Sequence, residues 1–138
     1  KNNLLPPPVK KKYSKDHLLL LIFIYYFKSI LSIKDIETLL KPITDSCFGQ
    51  DADSDASSLT DIYRQICTMC KDQIEPLKEG IASSWETAEK VFAESPEKNP
   101  DSFQLLAFIC SLSFDVYVKK MMIEKLIDTF SDQSPSHT

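Results

Sequence analysis

The amino-acid sequence predicts an all-α protein, and three observations carry that reading. Apolar residues make up 43% of the 138 positions, enough for a real core. They recur at three- and four-residue spacings through most of the chain, the period of a helix face. Gly occurs only twice, too seldom for the tight turns of a barrel or sandwich.

The first residues, KNNLLPPPVKKKY, cannot begin as a helix. Pro6, Pro7 and Pro8 fix φ and remove three backbone donors, so this arm is extended or polyproline-like. Val9–Tyr13 is placed as a short edge strand. Ser14 then supplies an N-cap with Asp16 in the first turn, opening a helix from Lys15 to about Ile30 that is apolar nearly all round. Such a helix is expected in the core. Its uncharged run, Leu18–Phe27, is ten residues, shorter than the roughly 20 that cross a bilayer.

Ser32 starts a second helix, with Asp35 in the acidic place of a capping box. Ile33, Ile36, Leu39 and Leu40 form its stripe, and Pro42 suggests an end close by. Residues 45–58 are small, acidic and Ser-rich and read as a linker. Asp51, Asp53 and Asp55 suggest a calcium loop, but Ala56 stands where the glycine is required and Ile62 where the glutamate is. Ser58 opens a third helix carrying Leu59, Ile62, Tyr63, Ile66, Cys67, Cys70 and Ile74. Pro76 suits the first turn of a fourth, with Leu77, Ile81, Trp85, Ala88 and Phe92 inward. Asn99 and Pro100 are an N-cap and N1 pair ahead of Phe103–Leu112, and Val116–Phe130 is a further helix or a continuation. The tail, residues 132–138, is expected to be disordered.

Charge is divided unevenly. Residues 1–34 hold seven Lys against one acid, Asp16, a net of +6. The remainder holds nine basic and nineteen acidic residues, a net of −10, and the whole chain carries −4. A basic end on an acidic protein points to a polyanion partner. The alternative, that lysines ahead of a helix keep the surface solvated, draws on the usual exposure of Lys. Within the basic end, Lys10, Lys11, Lys12, Tyr13 and Lys15 are the candidate nucleic-acid-binding residues. Three successive cations on a proline-stiffened arm can reach phosphates, and a helix N-terminus beside them adds donors.

No enzymatic constellation stands out. His17 and His137 are the only histidines, and neither sits with a nucleophile. Cys67-Thr-Met-Cys70 has the spacing of a zinc or redox motif, but two more ligands or a βαβ context would be needed. Both thiols lie on the apolar stripe and read as small buried residues, with thiol sensing as the alternative. Four cysteines in a chain of this size fit a reduced, cytoplasmic setting. No metal or cofactor is predicted.

The run from Leu5 through the three prolines, Lys10–Lys12, Tyr13-Ser14, His17-Leu18, Leu21, Ile24, Phe27-Lys28 and Ser32-Ile33, Asp35-Ile36, Leu39-Leu40 resembles the MerR winged-helix domain beyond its recognition helix. It is still more similar to a family of bacterial proteins called Domain of Unknown Function 1836, described as MerR-like. There a similar LPPPVKKKYSKDH lead-in precedes a similar LSIxDIxxLL helix. The resemblance implies that Lys10–Lys12 lie in a wing near phosphates, that Tyr13 meets the backbone, and that Ile33, Ile36 and Leu39 are core. The sequence departs from the MerR pattern in having no wing Gly before Leu40, and in placing His17 where an acid is usual. The turn before Ser32 is also shorter. The recognition helix would lie upstream of Lys1.

The implied architecture is a partial MerR-like winged-helix region over residues 1–44, the linker, and a helical bundle over 59–131 for dimerisation or effector sensing. The implied function is a transcription regulator binding double-stranded DNA as a homodimer, its effector unspecified. A helical protein–protein interaction module with no DNA role is the competing reading.

Overall fold

The computed structural model describes residues 4–9, 12–48, 58–94 and 99–133. Among these, five helices follow one another: α1 (Lys15–Lys28), α2 (Ile33–Phe48), α3 (Leu59–Asp72), α4 (Ile74–Phe92) and α5 (Pro100–Gln133). The all-α expectation holds, and the only β pairing among the described residues is a single antiparallel bridge between Val9 and Lys12. No helix among them is long and apolar enough to cross a membrane. The acidic stretch 49–57, the last residues 134–138, and Lys10 and Lys11 lie outside the described residues.

The starts follow from serine chemistry. Ser32 Oγ accepts from the Asp35 N–H at 3.1 Å, and Ser58 Oγ from the Asp61 N–H at 3.2 Å. Each satisfies a donor that the first turn leaves unpaired. α2 does not end near Pro42 as the sequence suggests; it carries Pro42 inside and continues to Phe48. The proline removes one ladder bond. Beyond it, Ile43, Cys47 and Phe48 pack on the core, so tertiary burial holds the helix past its breaker. α3 and α4 are separated by Gln73 alone. Pro76 lacks the N–H that would bond the carbonyl four residues back, which places the break there. The two segments anticipated beyond Asn99 are one helix, α5, of 34 residues.

The chain divides into two compact units. The first comprises Lys1–Cys67 and Ile123–Thr138. Here α1 and α2 form an antiparallel helical hairpin, closed by the Ile30 and Leu31 N–H groups bonding the Phe27 carbonyl at 2.9 and 2.8 Å. Leu20, Ile36 and Leu59 are completely buried at its centre, with Leu19, Leu31, Leu40 and Ile127 around them. Tyr63 of α3 meets Phe23 of α1 edge-on, at 5.8 Å between ring centroids. The expectation that α1 is buried all round is not met. His17, Leu19 and Leu20 are buried, while Leu18, Leu21, Ile22, Tyr25 and Tyr26 are exposed. Helix α2 and the start of α3 cover one side only.

The second unit, Thr68–Met122, is built on α4 and the first part of α5 running antiparallel. Trp85 meets Phe108 edge-on at 5.1 Å, and Phe92 stacks on Phe103 at 6.3 Å. Ala88 is the one buried residue described in this unit, so Leu77, Ile81 and Trp85, expected inside, are exposed. Two helices can cover only one stripe of each other.

Gly80 lies in the interior of α4, and a Cβ built there meets nothing within 4 Å. Glycine in a helix interior costs about 0.5–1 kcal/mol relative to alanine. Gly80→Ala is therefore expected to stabilise the protein by about that amount, read as a raised midpoint in thermal unfolding followed by circular dichroism.

Candidate nucleic-acid interface

Residues 4–9 form a short arm that lies against the α1–α2 hairpin. Leu4 and Leu5 pack against the core cluster. With Pro6 and Pro7 they face Glu37, Leu40, Lys41, Thr44 and Phe48 of α2 across a cleft of about 390 Å³. A polyproline-like backbone makes no internal hydrogen bonds, so its carbonyls remain available as acceptors.

One of these carbonyls is taken by His17. The ring is only 3% exposed. Its Nδ1 accepts from the Ser14 N–H at 3.0 Å, while Ser14 Oγ accepts from the His17 N–H at 3.3 Å. Ser14 Oγ also lies 2.8 Å from Nδ1. This is a capping box with histidine in the place usually held by Glu or Gln. An acceptor at Nδ1 puts the proton of the neutral ring on Nε2, 3.2 Å from the Pro7 carbonyl, to which it donates. The ring is held edge-on by Tyr13 at 5.2 Å and by Phe48 at 4.7 Å. One side chain thus joins the arm, the first turn of α1 and the last turn of α2.

Between Pro7 and Ser14 the chain reverses on itself. The Val9 N–H donates to the Lys12 carbonyl at 3.1 Å, and the Lys12 N–H to the Val9 carbonyl at 3.0 Å. The bridge that replaces the expected edge strand is therefore a minimal hairpin. Lys12, Tyr13 and Lys15 are exposed beyond it, Tyr13 by 63%. Lys10 and Lys11, the other two candidates, stand in sequence between the bridged residues. Neither Lys12 nor Lys15 takes part in an ion pair among the described residues. The neighbouring acid, Asp16, is half-buried. Burial pushes the Cys47 thiol up from its ordinary value, and the Asp16 carboxylate adds to that shift. The cap uses the His17 N–H and leaves those of Lys15 and Asp16 at the positive end of the helix dipole.

The arrangement can place cations and hydroxyls against a phosphate backbone. It does not gather all the basic charge. Lys28 stands thirteen residues along α1 from Lys15, about 20 Å away at helical rise, so it belongs to another surface. The role of His17 was not anticipated from the sequence. Its signal was present: a ring at the N3 place of a serine cap, ten residues after the middle proline of a run whose carbonyls need donors.

The cysteine pair is placed differently from the expectation. Cys67 and Cys70 are free and exposed rather than buried. The apolar stripe of α3 meets the core at Leu59 and Tyr63, and among the described residues the core cluster does not extend to Cys67. A side-chain hydrogen bond with Cys67 is the main reason the Tyr63 hydroxyl titrates above its ordinary value. Among the described residues no three His, Cys, Asp or Glu side chains are grouped so as to hold a metal ion.

Residues 1–79, more than half of the chain, match the family model of the domain of unknown function DUF1836. No curated protein and no solved structure matches the chain.

Two outcomes follow from this geometry. His17→Ala removes the box and leaves the Pro7 carbonyl without its donor. It is expected to cost about 2–3 kcal/mol and to speed amide exchange at Val9 and Lys12, whereas His17→Gln, which can rebuild the box, costs less. In thiol labelling near neutral pH, the thiolate is the reacting form. Cys47, half-buried with its titration raised, is therefore expected to react last of the four cysteines.

Proposed function

We propose that the chain, which belongs to the DUF1836 family, is a transcription regulator that contacts double-stranded DNA through its N-terminal arm. The observation that carries the proposal is the arm itself. A hairpin is closed by Val9 and Lys12, tied down at its base by His17, and followed by a helix whose N-terminus carries exposed Lys12, Tyr13 and Lys15. Phosphate contacts of this kind set position and orientation without reading bases. Holding the arm before binding spares the entropy of ordering it on the duplex.

The order hairpin, helix, turn, helix supports a MerR-like winged-helix region, with Val9–Lys12 as its wing. The C-terminal helices serve association or effector binding, and the protein works in the cytoplasm, where its free thiols stay reduced. The second reading, a helical interaction module without a DNA role, draws on the exposed apolar residues Leu18, Leu21 and Tyr25 of α1.

Binding to a mixed-sequence duplex at graded salt separates the two. Each phosphate contact contributes about −0.9 to the slope of log affinity against log salt. Changing Lys10, Lys11 and Lys12 together to Ala is expected to flatten the slope by about 2.7 if all three make such contacts. An unchanged slope would remove the arm from the interface, and no binding by the wild-type chain would favour the interaction module.

A further inference from the structure

We propose that the cleft between the N-terminal arm and α2 is a binding site for a small organic cation, an amine carried on an apolar body. The proposal rests on the placement of the arm and not on the DNA reading.

The cleft is held open by its construction. One wall is the arm. Leu4 and Leu5 fix one end of it in the core cluster, and the Pro7 carbonyl, which accepts from His17 Nε2 at 3.2 Å, fixes the other. Pro6 and Pro7 are stiff between these ties. The opposite wall is one face of α2. Glu37, Lys41, Asp45 and Phe48 line it at spacings of four, four and three, so they stand above one another on the helix. A stiff wall anchored at both ends is kept from collapsing onto the helix, and about 390 Å³ stays open between them. Small-molecule sites take about 300–1,000 Å³. Because both walls are in place beforehand, a ligand need not spend affinity on ordering them.

The lining selects the sign of the ligand. Pro6 and Pro7 bring carbonyls to the wall but no N–H. Across from them are two carboxylates, Glu37 and Asp45, against one ammonium, Lys41, a net of −1. Lys41 is already engaged, its Nζ 3.3 Å from Asp45 Oδ2. Glu37 enters no ion pair among the described residues. An anion therefore meets repulsion with no free ammonium to offset it, whereas an amine meets a carboxylate ready to accept a charge-assisted hydrogen bond. The lysines of the arm select anions and this lining selects the opposite sign, so the two surfaces do not compete for one ligand.

The remaining contacts set the shape of that ligand. Leu4, Leu5, Leu40 and Phe48 supply the apolar part of the lining. Glu37 and Phe48 lie eleven residues apart, about 16 Å along the axis of α2. A ligand with its ammonium at Glu37 has room for an apolar body in the direction of Phe48. Such a ligand touches both walls and ties the arm to α2.

Titration of the full chain without DNA, followed by amide NMR, tests this. The probes are phenethylamine, with phenethyl alcohol and phenylpropionate as its neutral and anionic counterparts. The amine is expected to shift the Leu4, Leu5, Glu37 and Lys41 amides saturably, with a Kd below about 1 mM. The alcohol is expected to bind about two- to fivefold more weakly, and the propionate not at all. Glu37 is exposed, so Glu37→Gln keeps the fold, and it is expected to lower amine affinity to that of the alcohol. Lys41→Ala releases Asp45 and is expected to tighten amine binding about two- to fivefold. No saturable shift with the amine would overturn the proposal. Equal binding of the three probes, or an amine affinity unchanged in both variants, would overturn the assignment of a cation and leave an apolar crevice. None of these results bears on the salt slope of duplex binding, so the DNA reading fails or stands separately.

Discussion

The imidazole of His17 meets three needs that no other side chain near it meets together. It closes the cap of α1 through Ser14, supplies a donor to a proline-arm carbonyl, and packs its faces against Tyr13 and Phe48. A glutamate at the same place would complete the cap, but an ionised carboxylate has no proton to give to Pro7. The ring has donor and acceptor on opposite sides, which lets it span the helix start and the arm. Buried polar atoms are costly when unpaired, so a ring that is 3% exposed and bonded at both nitrogens confines the arm to one course. The hairpin at Val9–Lys12 inherits that course, and with it the direction in which Lys12, Tyr13 and Lys15 face solvent.

The same junction explains why α2 runs on past Pro42. Its last turn must reach the arm and the first turn of α1 for Phe48 to meet His17 and for Cys47 to lie near Asp16. Losing one ladder bond at the proline is small beside the burial gained by Ile43, Cys47 and Phe48. Local propensity gives way where a buried contact lies beyond the breaker.

Much of the fold was legible in residue chemistry. Ser14, Ser32 and Ser58 each mark a helix start because a hydroxyl can take an orphan N–H, and each does so. Asn99 and Pro100 likewise mark the start of α5. Burial was less legible. Periodicity says which residues share a face, not whether another element covers it, and so Cys70, Leu77 and Trp85 were placed inside although they are exposed. Apolar helices such as α1 and α5 report a need for cover without naming what provides it. In the candidate interface the lysines were evident from charge alone. The anchor was not, because histidine is a rare occupant of the cap position and its second partner is ten residues away.

The central claim is that the basic arm is held ready for a phosphate backbone by His17 rather than ordered by the ligand. The most direct measurement is duplex affinity of folded His17→Ala, with every lysine intact, at several salt concentrations. Loss of the anchor leaves the charges in place and adds an ordering cost, so affinity is expected to fall about five- to tenfold with the salt slope unchanged. Unaltered affinity in a folded variant would contradict the account, showing that the arm does not depend on its anchor to meet DNA.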